Sequence, residues 1–232
     1  MKRIKRQFEK SMDKYDENAV VQRIMAEKLV RELLKIRAEF DTVLETGAGT
    51  GVLTKELTGK IQYKNYCAND LSEKSKKYLD KILNKYTFIA GNALKINKKA
   101  DLIISNAMFQ WLKDFGCFYN MLEPGGILAF TSFTTGNFRE IKELTGLSLE
   151  YKSMNEIKQE LKDYEILYTK EFEHKMSFQN PLELLAHMKH TGVNSLAHWT
   201  FAQVKDFCEK YKRKYPEITL TYTPVIVIAR KN

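Results

Sequence analysis

A glycine-rich stretch at residues 43–51 constrains the fold of this chain more than any other segment. Its first four residues are mostly apolar or β-branched, as a buried strand requires. The stretch then breaks into three alternating glycines: Gly47, Gly49 and Gly51. From residue 52 the apolar residues recur at helical spacing, so the pattern predicts a strand, a tight turn and a helix start. Glycines at such a turn let a ligand approach the backbone, and the free N–H groups of the helix start favour an anionic or polar group.

Two widespread glycine motifs do not fit this stretch. The dinucleotide-binding pattern G-x-G-x-x-G requires a third glycine where the chain has Val52. The Walker A pattern also fails, because Gly51 is followed by Val52, and Gly59-Lys60 is followed by Ile61 and not by Ser or Thr. After these two motifs are excluded, the pattern to explain is an acidic residue, Glu45, two positions before G-x-G-x-G. The stretch resembles the first motif of class I S-adenosylmethionine-dependent methyltransferases, although a glycine-rich loop in another α/β protein would share it.

Further strands are predicted after the glycine turn, over residues 63–70, 86–90 and 100–106. The first of them ends in Asp70, which follows Gly51 by 19 residues. At that distance an acidic side chain at the tip of the second strand receives ribose hydroxyls, because two hydroxyl donors make charge-assisted bonds to one ionised carboxylate. The continuous apolar run near residue 103 is typical of a central parallel strand.

Polar residues also follow the third and fourth of the predicted strands. Gly91 is followed by Asn92, where the methyltransferase pattern usually has Asp, and the amide oxygen of Asn92 can still accept a hydrogen bond from the amino group of adenine. The fourth strand ends at Asn106 without the Asn/Asp-Pro-Pro-Tyr/Phe tetrad with which base-modifying amino-methyltransferases stack an extruded base. The missing tetrad argues against a nucleobase amine as the methyl acceptor.

The sequence pattern of the second half of the chain predicts another helix, a strand, a closing hairpin and a helical insertion. A helix over about 109–122 precedes a Pro-Gly-Gly turn and a fifth strand over 127–133. Alternating residues over 164–178 and an apolar run over 223–229 suit the antiparallel hairpin that closes a class I methyltransferase sheet. Between them, residues 181–215 are mostly helical in pattern and form a candidate lid.

Two helices are predicted before the first strand, over residues 3–14 and about 18–36, from apolar residues at three- and four-residue steps. Tyr15 lies at their junction, where its hydroxyl could reach a pocket at the end of the sheet. The alternative is that its ring packs on the core.

Arg139 follows the fifth predicted strand, and it is the only arginine between Arg37 and Arg213. An isolated arginine at the edge of the sheet that binds ligands suggests bidentate capture of a carboxylate. The alternative is a solvated arginine that pairs with Glu140 or Glu143.

Composition narrows the class of protein. A chain of 232 residues suffices for one α/β domain with a cap, and it contains no apolar run long enough to span a bilayer. Its basic start leads into a charged segment, so we expect a cytoplasmic protein with no membrane partner. The three cysteines form no C-x-x-C pair, and His187 and His190 lack a third ligand nearby, so we expect no metal site. The formal net charge of +9 suits a polyanionic partner, although a general lysine bias explains it as well.

The predicted architecture is an α/β fold with a Rossmann-like, seven-stranded class I methyltransferase sheet and helices on both of its faces. The expected units are an N-terminal helical cap at 1–37, a cofactor-binding α/β core at 38–178, a helical lid insertion at 179–216 and a closing strand of the core at 217–232. We expect a monomer or a weak oligomer.

Segments near both ends of the chain resemble the malonyl-acyl-carrier-protein O-methyltransferases of biotin synthesis. These segments are residues 8–16, 105–111, 135–141, 184–194 and 220–222. The resemblance implies S-adenosyl-L-methionine as the methyl donor. It implies cofactor-binding roles for the following residues: Glu45, Gly47, Gly49, Gly51, Asp70, Leu71, Asn92, Ala93 and Asn106. It also implies catalytic roles for Tyr15 and Arg139.

Members of that family methylate the free carboxylate of a malonyl thioester on acyl carrier protein, and the methyl ester is then elongated toward pimelate. The resemblance implies the same reaction and the same acidic protein partner for this chain. A carboxylate is already ionised at pH 7, so the reaction needs no general base. We expect Arg139 to orient the malonyl carboxylate and Tyr15 to close the pocket over the sulfur that bears the methyl group.

Other functions share much of this pattern. A methyltransferase that acts on another small carboxylic acid or on a quinone precursor would have the same cofactor residues. A non-catalytic protein that binds S-adenosylmethionine could use the basic charge for RNA or protein contacts. An RNA methyltransferase is less favoured, because the tetrad and an appended RNA-binding module are both missing, and we expect no nucleic-acid partner.

Overall fold

A seven-stranded sheet forms the centre of the computed structural model, which describes residues 2–191 and 199–232. The strands are β1 (Glu39–Thr46), β2 (Gln62–Asp70), β3 (Thr87–Ala90), β4 (Ala100–Ser105), β5 (Leu122–Phe133), β6 (Tyr164–Glu171), β7 (His174–Ser177), β8 (Thr219–Tyr222) and β9 (Pro224–Lys231). The order across the large sheet is β3-β2-β1-β4-β5-β9-β6. Neighbours among the first five strands pair in parallel, whereas β9 runs antiparallel to β5 and β6. The predicted class I methyltransferase sheet is confirmed.

Helices cover both faces of this sheet, as predicted. They are α1 (Lys2–Asn18), α2 (Val20–Leu34), α3 (Val52–Leu57), α4 (Lys76–Leu79), α5 (Cys117–Met121), α6 (Arg139–Thr145), α7 (Met154–Glu160), α8 (Pro181–His190) and α9 (Phe201–Lys214). The central strand β4 shows why both faces need a cover. Its residues Leu102 and Ile104 belong to the same buried core as Leu29 of α2. Ile103 points to the other face, where it belongs to the core that contains Phe118 of α5.

The predicted helix over 109–122 is wrong: the chain forms a 3₁₀ turn at Phe109–Trp111 and then the short helix α5. In a continuous helix the N–H of Phe115 would bond to the carbonyl four residues earlier. Instead it donates to the Glu160 carboxylate at 3.0 Å. This places the Phe115 ring 5.5 Å from that of Phe130 on β5, measured between centroids. Packing of aromatic rings on the sheet overrides the helical periodicity of this segment.

The predicted helical insertion is present as α8 and α9, while residues 192–198, with part of the family segment 184–194, lie outside the described residues. Leu184 of α8 and Phe207 of α9 share a buried core with Met25 of α2. The insertion therefore packs on the N-terminal helices. The boundaries of the predicted units stay predictions.

Of the two runs that the sequence assigns to one hairpin, only the first is divided between two sheets. The run over 164–178 becomes β6 in the large sheet and β7 in the small one, whereas the run over 223–229 falls on β9 of the large sheet. The segment 217–232, predicted as one closing strand, also contains β8 of the small sheet. The fifth strand also begins earlier than predicted, at Leu122, and its register with β4 shifts near Ala100. Among the helices of the described residues, none is both long and apolar enough to cross a membrane.

Candidate cofactor site

A cavity lies where β1, β2 and β4 end, at the carboxyl edge of the large sheet, and α1 contributes to its wall. Open α/β sheets bind their ligands at this edge. This cofactor cavity brings together most of the site residues predicted from the sequence: Tyr15, Gly47, Gly49, Asp70, Leu71, Asn92, Ala93 and Asn106. The remaining predicted site residues lie outside its lining: Glu45, Gly51 and Arg139.

The glycine turn lets neighbouring side chains approach the backbone at two positions. Gly47 has a φ of +68°, and a Cβ on it would lie 2.6 Å from Cγ of Met108. Gly49 has a φ of +57°, and a Cβ on it would lie 3.0 Å from Cζ of Phe8. Both backbone conformations favour glycine, and both residues form part of the cavity wall.

Asp70 fixes the glycine turn and also lines the cavity. Its Oδ2 accepts a hydrogen bond from the N–H of Gly49 at 2.9 Å, and its Oδ1 accepts one from the N–H of Ser72 at 2.8 Å. Burial raises the pKa of this carboxyl, and the two backbone hydrogen bonds act in the opposite direction. Each carboxylate oxygen has a further lone pair, so Asp70 can also accept the two hydroxyls of a ribose.

Asn69 connects the ends of two strands, and the sequence analysis does not identify it. Its Nδ2 donates to the carbonyl oxygens of Ile89 and Gly91 at 2.8 and 3.0 Å. Its own carbonyl accepts a hydrogen bond from the N–H of Ala48 at 2.9 Å. One residue therefore positions both the glycine turn and the turn after β3.

Asn92 follows that second turn and lines the cavity, as predicted. Its Oδ1 accepts a hydrogen bond from the N–H of Leu94 at 3.1 Å, which caps the 3₁₀ turn Ala93–Lys95. The amide oxygen retains one lone pair, so a bond from an adenine amino group stays compatible with the cap.

The turn after β4 holds a residue in the left-handed region beside the cavity. Ala107 has a φ of +52°, and its N–H donates to Oγ1 of Thr131 at 2.9 Å. That hydroxyl donates to Oδ1 of Asn106 at 2.6 Å, and Nδ2 of Asn106 donates to the backbone oxygen of Gln22 at 3.0 Å. Asn106 therefore attaches α2 to the turn, and it can bind a ligand chiefly through its backbone. Left-handed non-glycine residues cost about 1 kcal/mol or more and cluster at functional sites.

Helix α1 is held over the glycine turn by polar contacts. Asp16 accepts hydrogen bonds from the Thr50 hydroxyl at 2.5 Å and from the Lys55 ammonium at 2.8 Å. Two turns earlier, Glu9 accepts a hydrogen bond from the Ser72 hydroxyl at 2.6 Å. The helix thus contacts both the glycine turn and the residues that follow Asp70.

Tyr15 is carried into the cavity by this helix. Its ring packs edge-on against that of Phe8, with centroids 5.2 Å apart. Burial raises the pKa of the Tyr15 phenol, and the nearby carboxylates of Asp16 and Asp70 raise it further. The phenol therefore stays protonated at neutral pH and can donate a hydrogen bond to a bound anion.

A buried histidine–tyrosine pair connects α8 to β8, close to Thr191 in the cavity lining. Nε2 of His187 lies 2.6 Å from the hydroxyl oxygen of Tyr222. Burial lowers the pKa of His187 to about 4, so the ring is neutral at pH 7. Thr191, which lines the cavity, donates through its hydroxyl to the carbonyl of His187 at 3.1 Å.

Glu45 and Gly51 support the turn from outside the cavity. Oε2 of Glu45 accepts hydrogen bonds from Thr54 of α3 at 2.7 Å and from Tyr66 of β2 at 2.5 Å. Gly51 has a φ of +84°, and a Cβ on it would lie 2.4 Å from Cδ1 of Ile82. Local packing therefore accounts for both residues, and their direct contact with a cofactor stays a prediction.

The Glu45 carboxyl gives the protein a pH-dependent stability. Burial raises its pKa to about 7 from an ordinary value of 4.5, although hydrogen bonds from Tyr66 and Thr54 act in the opposite direction. Between these pH values the folded state binds more protons than the unfolded state, so the free energy of unfolding falls as pH rises. We expect Glu45→Gln to gain stability relative to the wild type by up to about 1.4 kcal/mol per pH unit across this window. Urea unfolding of both proteins from pH 4.5 to 8 measures this, and a constant difference contradicts it.

Arg139 lies at the start of α6, and the structure does not bring it to the cofactor cavity. Its Nη1 lies 2.7 Å from Oε1 of Glu173, whereas its Nε lies 4.0 Å from the Glu140 carboxylate. Arg139 and Glu173 line a separate polar groove with Glu171 and Phe172. A role for Arg139 toward a substrate carboxylate stays a prediction, and it requires that Glu173 be displaced.

Several lining residues have no site role in the sequence analysis: Lys5, Phe8, Gln22, Asn69, Met108, Gln110, Trp111, Phe133 and Thr191. Phe8, Gln110 and Thr191 do lie in segments that carry the family resemblance, and that was the signal available for them. Gln22 lies in an ordinary helical pattern, so nothing in the sequence distinguishes it.

The chain matches known proteins over most or nearly all of its length. A family model described as a methyltransferase domain matches residues 17–198. A malonyl-[acyl-carrier protein] O-methyltransferase from Calditerrivibrio nitroreducens is 39% identical over 98% of this chain and 96% of its own length. An enzyme of the same name from Chlorobium luteolum is 33% identical over 98% of this chain and 94% of its own length.

Solved structures share the fold at low identity. The N-methyltransferase NodS from Bradyrhizobium japonicum, in complex with S-adenosyl-L-homocysteine, matches with a TM-score of 0.60 and 14% identity, over 98% of both chains. Phosphoethanolamine N-methyltransferase 2 from Haemonchus contortus matches with a TM-score of 0.53 and 16% identity, over 88% of this chain and 52% of the other. At these identities the likeness concerns the fold alone.

Proposed function

The chain belongs to the methyltransferase-domain family and, within it, to the malonyl-acyl-carrier-protein O-methyltransferases. From this membership we propose that it methylates the free carboxylate of malonyl-acyl carrier protein. The product would be the methyl ester that enters pimelate and biotin synthesis. The observation that carries the proposal is the convergence of the predicted cofactor residues on one cavity at the carboxyl edge of the sheet.

The residues of the cavity fit S-adenosyl-L-methionine. Asp70 has acceptor capacity for ribose hydroxyls, and Asn92 retains an acceptor for the adenine amino group. Gly47 and Gly49 place backbone in the wall of the cavity, and Met108 and Phe8 close in beside them. When bound, the cofactor supplies an electrophilic methyl group on a sulfonium sulfur. The part of the protein is to bind it, orient it and exclude water.

The ionisable groups of the cavity suit an acceptor that is already charged. Among the described lining residues, the ionisable side chains are those of Lys5, Tyr15 and Asp70. Tyr15 stays protonated, and Asp70 is engaged with the backbone of the turn. No residue among these is placed as a general base, whereas a malonyl carboxylate is ionised at pH 7 and needs none. Proximity and the exclusion of water can supply most of the acceleration.

We assign Tyr15 to the end of the cavity where the acceptor enters. Its phenol offers a neutral hydroxyl donor to the incoming carboxylate. A neutral donor suits this reaction, because the acceptor loses its negative charge as it gains the methyl group. A guanidinium held against the carboxylate would stabilise the charged ground state more than the transition state. Arg139 lies outside the lining of this cavity, and its role toward the malonyl carboxylate stays a prediction.

A substrate comparison tests the proposed function. The enzyme and labelled S-adenosylmethionine are incubated with malonyl-carrier protein, and the carrier is analysed by mass spectrometry. We expect one labelled methyl group on the malonyl moiety. Acetyl-carrier protein, which lacks the free carboxylate, is the matched control and stays unmodified. Methylation of both carriers, or of neither, rejects the proposal, and methylation of free small acids in preference would favour the alternative acceptor class.

The salt dependence of the apparent KM tests whether an acidic carrier protein is the partner. The chain has 38 lysines and arginines against 29 aspartates and glutamates, and acyl carrier proteins are acidic. Exposed charges at the edge of an interface act mainly on the association rate, and salt screens them. We therefore expect the apparent KM for malonyl-carrier protein to rise several-fold between about 0.05 and 0.5 M salt, with little change in kcat. Malonyl-pantetheine, which lacks the acidic protein, serves as the control. A KM for the carrier substrate that does not respond to salt contradicts electrostatic docking.

A further inference from the structure

Two buried side-chain oxygens of the cofactor cavity have no hydrogen-bond partner within the described protein. They are Oε1 of Gln22 and Oε1 of Gln110. Both residues line the cavity, and Gln22 is only 3% exposed. A buried acceptor without a donor costs about 1–3 kcal/mol, so such atoms in a binding cavity point to a ligand group that donates.

Gln22 and Gln110 are both attached to the turn after β4, Gln22 through its backbone and Gln110 through its side chain. Nδ2 of Asn106 donates to the backbone oxygen of Gln22 at 3.0 Å, which fixes this part of α2 beside the turn after β4. Nε2 of Gln110 donates to the carbonyl of Ala107 at 2.5 Å. This bond assigns the amide orientation of Gln110, because a flipped amide would place two acceptors against each other. Its Oε1 is therefore the free acceptor.

The position of this turn identifies the part of the cofactor that reaches it. Asp70 is suited to the ribose and Asn92 to the adenine, so the 5′ substituent of the ribose extends away from both. The turn after β4 lies against Gly47, since a Cβ there would meet Met108 at 2.6 Å. The 5′ substituent of S-adenosylmethionine carries a sulfonium, a carboxylate and an ammonium, and only the ammonium has N–H donors.

We propose that the side-chain oxygens of Gln22 and Gln110 accept hydrogen bonds from the α-ammonium group of S-adenosylmethionine. The pair holds the amino-acid end of the cofactor and selects it over adenine nucleosides that lack an amino-acid tail. The inference rests on the cofactor alone. It does not depend on malonyl-carrier protein as the acceptor. The binding test can therefore reject this inference without rejecting the proposed reaction, and the reverse also holds.

Calorimetric binding of three ligands tests this role without catalysis. S-adenosylhomocysteine has the complete amino-acid tail, its deamino derivative keeps only the carboxylate, and 5′-methylthioadenosine lacks the tail. For Gln110→Leu we expect affinity for S-adenosylhomocysteine to fall about 10- to 30-fold, because a hydrogen bond to a charged group is lost. Affinities for the other two ligands stay within twofold.

Matched variants separate recognition from folding. Gln22→Leu is expected to show the same ligand pattern, while Gln159→Leu, on an exposed position of α7, changes none of the affinities. An equal loss for all three ligands in the leucine variants would mean that the carboxamides only support the fold, and it would overturn the proposal. Unchanged binding of S-adenosylhomocysteine to both leucine variants overturns it as well. A loss shared by the deamino derivative would assign the contact to the carboxylate instead and would also reject it.

Discussion

Asp70→Ala is expected to weaken binding of S-adenosylhomocysteine by at least about 100-fold, the largest effect of any single substitution in the cavity. Two hydroxyl bonds to an ionised carboxylate are lost, and each such bond contributes about 1.5–3 kcal/mol. The substitution also leaves the N–H groups of Gly49 and Ser72 without their acceptor, which loosens the glycine turn. Isothermal titration calorimetry measures the affinity, and thermal unfolding separates a loss of binding from a loss of fold.

Two further variants sharpen the Asp70 result. Asp70→Asn keeps an acceptor for one backbone N–H but loses the charge, so we expect an intermediate loss of about 10-fold. Asp41→Ala removes an exposed carboxylate that pairs with Lys64 at the far end of β1, and its affinity stays within twofold. Near wild-type affinity in Asp70→Ala would show that the ribose is not bound there.

Gly47→Ala is expected to lower the same affinity about 30- to 100-fold. The residue has a φ of +68°, and the new Cβ would lie 2.6 Å from Cγ of Met108, so the turn and the wall beside it must both shift. The left-handed conformation alone costs an L-residue about 1–2 kcal/mol. The clash adds to this cost and narrows the cavity where the cofactor passes.

Gly59→Ala is the matched control for Gly47→Ala. Gly59 has a φ of +77°, but a Cβ on it meets no atom within 4 Å. It therefore incurs the conformational cost without the clash and without contact to the cavity. We expect reduced stability but unchanged affinity for S-adenosylhomocysteine. Equal affinities in the two alanine variants would contradict the close approach of Met108 as the reason for glycine at position 47.

The sheet and most of the cofactor residues could be predicted because their signals are local. A strand, a glycine turn and a helix start occupy adjacent residues, and the carboxyl ends of parallel strands meet at one edge. Asp70 and Asn92 therefore reach the same cavity even though 22 residues separate them in the chain. Neither position depends on a contact that only the folded chain can reveal.

The parts that could not be predicted depend on such contacts. The helix expected over 109–122 is interrupted because Glu160, which is distant in sequence, takes the N–H of Phe115. Arg139 was expected at the cavity from its isolation among lysines, but its partner Glu173 lies on the connection between β6 and β7, whose division into two sheets has no sequence signal. The position of Gln22 in the cavity could not be predicted for the same reason, because it depends on the contact between α2 and the turn after β4.

A crystal structure of the protein with S-adenosylhomocysteine tests the central claim most directly. The account predicts that the ribose hydroxyls bond to Asp70, that the adenine lies beside Asn92, and that the amino-acid end reaches Gln22 and Gln110. The account is contradicted if the nucleoside binds in the reverse orientation. It is also contradicted if the nucleoside binds anywhere outside the cofactor cavity.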